Sequence, residues 1–162
     1  MNLADKGNFG YKEKAGKYLT FLLDGRRYAF SIKKIIEIIE IQDITPVPEC
    51  PDYMKGIINL RGRVIPLVDM RLRFKRPETE YNKRTCIIII DMGETAIGFI
   101  VDRVEEVTDI SADEISPPPA VTLDATGKYV MGVGKVKGDI VLLLDHERLF
   151  SKEELENIEK AQ

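Results

Sequence analysis

Residues 56–74 read GIINLRGRVIPLVDMRLRF and residues 132–150 read GVGKVKGDIVLLLDHERLF, and the two stretches align without a gap. Gly56 falls on Gly132, Gly62 on Gly138, Leu67 on Leu143, Asp69 on Asp145 and Phe74 on Phe150, each 76 positions apart. Conservative pairs lie between them, such as Ile57 with Val133, Arg61 with Lys137 and Val64 with Ile140. Further out, YAFSIKKIIEII from Tyr28 matches IGFIVDRVEEV from Ile97 at an offset of 69, pairing Phe30 with Phe99 and Glu37 with Glu106. The change of offset fits a longer connection in the second half, where residues 110–129 replace residues 42–53. A duplicated unit of this size implies two similar lobes rather than one fold with a single catalytic cleft.

Within each copy the apolar runs are strand-sized. Residues 57–61 and 64–68 bracket Gly62-Arg63, as residues 133–137 and 140–144 bracket Gly138-Asp139. Glycine at the first central position of a two-residue loop suits a type II′ turn. Upstream, Asp24-Gly25 between apolar runs is a hairpin signal of the same kind. Residues 32–41 mimic a helical period, but their isoleucine density favours a strand, because β-branched side chains lose rotamer freedom in a helix. Further strands are expected at 85–90 and 95–101, joined by a hairpin at 92–94, and Pro46, Pro48 and Pro51 enforce an irregular connection. One helix is expected, at 151–162: Ser151 with Glu154 forms a capping box, and Phe150 with Leu155 a hydrophobic staple. Short strands punctuated by Gly and Pro predict a mainly β protein of two five-stranded barrels packed together. The boundaries expected are a flexible tail over 1–16, lobe one over 17–76, a linker over 77–84 and lobe two over 85–150.

Composition narrows the function classes. A lobe of about 60 residues buries only about 60% of its unfolded surface, so the two should share a core. Net charge is −3 and aromatic content 7% without Trp, which argues against a phosphate-binding surface or a base-stacking platform. Cys50 and Cys86 stand singly, as buried free thiols would in a reducing cytosol. No segment has the apolar run of a signal peptide or a membrane span.

His146 is the single histidine, so a His-rich metal site is excluded and one candidate for a catalytic triad remains. At a strand end it reads as an exposed or lobe-contact residue. Asp69 and Asp145 are repeat-equivalent and read as caps of the turn after each hairpin. Glu105 and Glu106 project to opposite faces of a strand and cannot act as a carboxylate pair. The glycines from Gly132 to Gly138 fail the G-x-G-x-x-G spacing and precede no helix, so they are hairpin residues rather than a phosphate loop. No catalytic, metal or cofactor site is expected. What remains is surface: Asn59 and Arg61 face outward beside a turn, either hydrated or partner-facing. Ile36 and Ile38 lie on a strand apolar on both faces, covered by the second lobe or, where it does not reach, by a partner.

The run ITPVPECPDYMKGIINLRGRVIPLVDMRLRF, residues 44–74, together with AIGFIVDRVEEV, residues 96–107, resembles the CheW family of bacterial chemotaxis coupling proteins. The resemblance extends over residues 17–155. It implies two tandem SH3-like five-stranded barrels, and a non-catalytic cytoplasmic adaptor that joins the tips of methyl-accepting chemoreceptors to the histidine kinase CheA in membrane-associated arrays. Carried over position by position, it implies kinase-binding residues Glu37, Gly56, Arg61 and Gly62. It implies a receptor-binding groove of Leu19, Ile32, Ile35, Ile38 and Val104. Two other classes stay open on the residues alone: a nucleic-acid-binding β-barrel, which net charge and the lack of a basic stripe disfavour, and an enzyme, disfavoured by the lack of a nucleophile motif.

Overall fold

In a computed structural model, residues 14–118 and 125–160 are described. Eleven strands and two short helices follow one another: β1 (Gly16–Leu23), β2 (Arg26–Ser31), β3 (Ile35–Glu40), β4 (Met54–Leu60), β5 (Arg63–Asp69), α1 (Met70–Arg73), β6 (Cys86–Asp91), β7 (Ala96–Val101), β8 (Arg103–Ile110), β9 (Ile115–Ser116), β10 (Val130–Val136), β11 (Asp139–Leu144) and α2 (Lys152–Lys160). They form two sheets, ordered β8-β1-β2-β11-β10-β9 and β3-β6-β7-β5-β4. The molecule is mainly β, as expected, with the C-terminal helix capped as expected: Glu154 N–H donates to Ser151 Oγ at 3.0 Å and Ser151 N–H to Glu154 Oε1 at 2.9 Å.

The sheet order corrects the expected division into lobes at 17–76 and 85–150. Each barrel takes its leading hairpin from the other half of the chain. Hairpin β1–β2 joins β8–β11, and hairpin β6–β7 joins β3–β5. The repeat survives the exchange, because the parallel closing pairs match at the two offsets: Leu67 lies opposite Gly98, and Leu143 opposite Ala29. Local pairing is therefore the same whichever copy supplies the hairpin. The arrangement is decided by what lies between the barrels.

That seam holds the largest core cluster. Leu19, Phe21, Tyr28 and Phe30 of β1–β2 meet Ile88, Ile90, Ile97 and Phe99 of β6–β7, with Phe30 and Phe99 ring centroids 5.7 Å apart. Each barrel has a smaller interior of its own: Tyr18, Ala29, Val136, Val141 and Leu143 in one, Ile58, Ile65, Leu67, Ile87 and Ile89 in the other. Exchanged hairpins and a shared seam make the two barrels one folding unit.

Four local expectations are also corrected. Residue pairs Leu60–Arg63 and Val136–Asp139 close the hairpins, so the loops are Arg61-Gly62 and Lys137-Gly138. Both residues of each loop have positive φ (52° and 85°, 51° and 83°), which is the type I′ turn matching the strands' twist, with glycine second rather than first. The proposed strand over 32–41 begins as a 3-10 turn at Ile32–Lys34, where Ser31 Oγ accepts from Lys33 N–H, and only Ile35–Glu40 is extended. The turn carries the chain from one barrel to the other. The two thiols are free but half-buried. Of the expected tail, residues 1–13 lie outside the described residues, and Gly16 already belongs to β1.

Two ionic clasps tie the seam. At the β7–β8 crossover Arg71 of α1 grips Asp102 through Nε and Nη2 at 2.9 and 2.7 Å and reaches Asp24 at the β1–β2 turn. Arg73, its side chain 11% exposed, pairs through both terminal nitrogens with Glu154 of α2 at 3.0 Å and donates to the Leu149 carbonyl. Its guanidinium lies 4.7, 5.3 and 5.1 Å from the rings of Tyr53, Tyr129 and Phe150. Burial, then the Glu154 charge, pushes the Tyr53 hydroxyl up to about 12.

Candidate functional site

A five-stranded sheet curled into a barrel leaves a seam where its two edge strands approach, and here those edges are β3 and β4. Two devices span it. Arg61, at the first position of the β4–β5 turn, pairs with Glu37 of β3. Thr45, on the chain between β3 and β4, makes a two-bond bridge with Ile57 of β4: Thr45 N–H donates to the Ile57 carbonyl at 2.9 Å and Ile57 N–H to the Thr45 carbonyl at 2.8 Å. The structure thus brings Glu37, Gly56, Arg61 and Gly62 along one seam. Arg61 is exposed, with 70% of its side chain open to solvent, and Glu37 is half-buried. Gly62 is exposed, and its N–H is taken by Asn59 Oδ1 at 2.8 Å, which fixes the turn. Gly56 is buried.

The other barrel repeats the seam. Lys137, the repeat mate of Arg61, pairs with Glu106, the mate of Glu37, at 3.2 Å. Strand β9 bridges β10 where Thr45 bridges β4, with Ser116 opposite Val133. Edge strands β3 and β8 each carry a bulge residue, Ile36 and Glu105, also equivalent by offset 69. Glu105 turns to Arg27 and Glu106 to Lys137, so the two carboxylates do separate work.

The five expected groove residues all lie on the face between the barrels, at different depths. Leu19 is 2% exposed and is a core residue. Ile32, Ile35 and Val104 are half-buried against the same interbarrel cluster. Ile38 sits opposite Ile88 and is 41% exposed. Sequence reading missed its repeat mate. Val107, opposite Leu19 in β8, is 53% exposed. An offset of 69 from Ile38 points straight to it.

The residues considered for chemistry have structural roles. Asp69 accepts from the N–H groups of Arg71 and Leu72 and from the Tyr81 hydroxyl, and Asp145 from Glu147 N–H, so both cap the turn after their hairpins. Burial, then the hydrogen bond to Asp69, pushes the Tyr81 hydroxyl well above its ordinary range. His146 is half-buried beside Lys34, Asp91, Glu147 and Phe150, and among the described residues no Ser, Thr or Cys lines the same cavity. Among the described residues no three His, Cys, Asp or Glu side chains cluster as a metal centre would need. No described helix is long and apolar enough to cross a membrane.

A pair of hairpin-exchanged barrels whose exposed features are seams and an apolar interbarrel face defines a binding module. The comparisons agree on which. The CheW-like domain model matches residues 17–154. A chemotaxis protein CheW from Klebsiella aerogenes is 31% identical over 148 residues, covering 90% of this chain and 89% of its own. Those of Helicobacter pylori and Bacillus subtilis are 33% and 32% identical, covering 87% and 85% of this chain and 85% and 88% of theirs. The crystal structure of the scaffolding protein TtCheW from Thermoanaerobacter tengcongensis superposes with a TM-score of 0.79 at 34% identity, covering 86% of this chain and 95% of that one. The chain belongs to the CheW-like family.

Proposed function

We propose that this protein is a non-catalytic chemotaxis adaptor that couples the cytoplasmic tips of methyl-accepting chemoreceptors to the histidine kinase CheA, working in the cytoplasm at membrane-associated arrays. The kinase's CheW-like domain is taken by the β3–β4 seam, at Glu37, Arg61 and Gly62. The receptor tip is taken by the interbarrel face, at Ile32, Ile35, Ile38, Val104 and Val107. The observation that carries this reading is the exposure of Arg61 and of the apolar rim Ile38 and Val107 on a chain of this family.

Physical chemistry supports the split. Arg61 and Glu37 make an exposed ion pair, and such a pair adds only about 0–1 kcal/mol to stability, so folding alone gives little reason for it. Arginine is favoured among interface anchors that cost about 2 kcal/mol or more on truncation. Large exposed apolar side chains such as Ile38 and Val107 are the kind of surface into which a helical hairpin lays an apolar stripe. The test is co-sedimentation of the full chain with receptor cytoplasmic fragments and the kinase. Arg61→Ala is expected to melt like the wild type and to bind the kinase about thirtyfold more weakly. Normal kinase binding by that variant refutes the seam assignment.

A further inference from the structure

Val104 and Val107 stand three residues apart on β8, and in a regular strand that spacing puts two side chains on opposite faces. Here both take the interbarrel side, because Val104 lies opposite Phe21 and Val107 opposite Leu19, two core residues of the seam. The bulge makes the difference. Glu105 has no partner residue on β1, so the alternation is reset between Val104 and Val107. In a strand without the extra residue Val107 would fall opposite Tyr18, whose side chain belongs to the interior of its own barrel. The apolar rim of β8 therefore depends on where the bulge sits.

A bulge disrupts the ladder and leaves backbone groups to be satisfied elsewhere, and here one buried hydroxyl takes them up. Thr20, 2% exposed, donates from Oγ1 to the Glu106 carbonyl at 3.0 Å and accepts from the Glu106 N–H at 3.3 Å. Both backbone groups of the residue that follows the bulge are thus held by a single side chain. A bulge shifted along the strand would give up both bonds and leave the hydroxyl buried without its partners. The other barrel has no such pin. The repeat mate of Thr20 is Ile89, which lies opposite Glu37 beside the Ile36 bulge and has no hydrogen-bonding group in its side chain. The device is particular to β8.

We infer that Thr20 is a positioning residue: its hydroxyl pins the β8 bulge and so turns Val107 outward onto the interbarrel rim. The inference rests on that rim being the receptor-binding face, and it adds a buried residue that acts on the face from inside the barrel. Thr20 acts through Glu106 and the register of β8.

The experiment takes two readouts on full-length variants, beside a thermal melt. One is the rate at which a maleimide labels position 107 in a Val107→Cys background, followed by mass spectrometry so that Cys50 and Cys86 are counted apart. The other, without the Val107→Cys change, is co-sedimentation with receptor cytoplasmic fragments and, separately, with the kinase. Thr20→Val removes the hydroxyl and keeps the branched shape. It is expected to slow labelling and to weaken receptor binding about tenfold each, while kinase binding, at the seam of the other barrel, stays within about twofold. Thr20→Ser keeps the hydroxyl and should restore both, which a role in packing alone would not give, since serine leaves a methyl-sized gap. Labelling of Thr20→Val at the unmodified rate overturns the inference. Slowed labelling with normal receptor binding means that the pin holds but the rim is not the receptor contact, so the receptor-face reading is what fails. If Thr20→Val does not fold, Thr20→Cys, close to serine in size but a weak hydrogen-bonding group, is compared with Thr20→Ser on the same readouts, and equal behaviour of the two refutes the role.

Discussion

Replacing Ile38 or Val107 with aspartate separates a docking surface from a core. Fully burying such a side chain is worth about 1.5–3 kcal/mol. Ile38 is 41% exposed and Val107 53%, so roughly half of that, about 1 kcal/mol, is lost in the free protein. The new carboxylate stays hydrated at either position, so no charge is desolvated. A domain of this size loses about 2–4 °C of melting temperature per kcal/mol, and both variants should remain folded at 25 °C. In a complex that covers these positions the same carboxylate is buried without a partner, at about 2 kcal/mol or more. Receptor-fragment affinity should therefore fall about thirtyfold. Leu19→Asp is the contrast: at 2% exposure inside the interbarrel core it should unfold the protein. The assay is a co-sedimentation titration against receptor cytoplasmic fragments beside a thermal melt of each variant. Binding by both rim variants within about twofold of wild type, or melting of both as severe as that of Leu19→Asp, refutes the reasoning.

Arg73→Ala removes a nearly buried guanidinium from Glu154, the Leu149 carbonyl and three rings, and leaves Glu154 uncompensated, so thermal unfolding should show a loss of about 3 kcal/mol or more. Burial raises the Glu154 pKa, but the Ser151 N–H and Arg73 outweigh it and hold the carboxyl below the usual glutamate value. Its contribution is therefore fully present above the unfolded value of about 4.3 and fades as pH falls through the lower folded one. Urea titrations should show the stability gap between wild type and Glu154→Gln narrowing below that pH, and a gap that widens there reverses the sign. Gly98→Ala places a methyl 2.5 Å from Leu67 Cδ2 and 2.7 Å from Ile87 Cγ2 in a closed barrel interior, at a cost of about 1–3 kcal/mol by denaturant melt. The equivalent position in the other barrel already holds Ala29, so the cost reports packing rather than backbone.

The duplication, the presence of hairpins at Gly25, Gly62 and Gly138 (though not the glycine's place in the last two turns), the Asp caps at 69 and 145 and the Ser151–Glu154 capping box are written in neighbouring residues, because each is set by local backbone geometry and short-range hydrogen bonds. The repeat even fixes the strand pairs, since Leu67 with Gly98 and Leu143 with Ala29 follow the same two offsets. It could not fix which hairpin enters which barrel. Cis and exchanged arrangements make the same local pairs, and the choice falls to the aromatic and aliphatic side chains of β1–β2 and β6–β7, which find their partners only across the interbarrel seam. The same limit governs the site. Arg61 and Val107 are legible from a turn and an offset, but that Gly56 is buried under Thr45, that Leu19 is core and that Glu37 reaches Arg61 across an open seam depends on how the edges of a curled sheet meet. Those distances belong to the barrel, and Thr45 and Gly56, 11 positions apart, and Glu37 and Arg61, 24 apart, acquire them only when it forms.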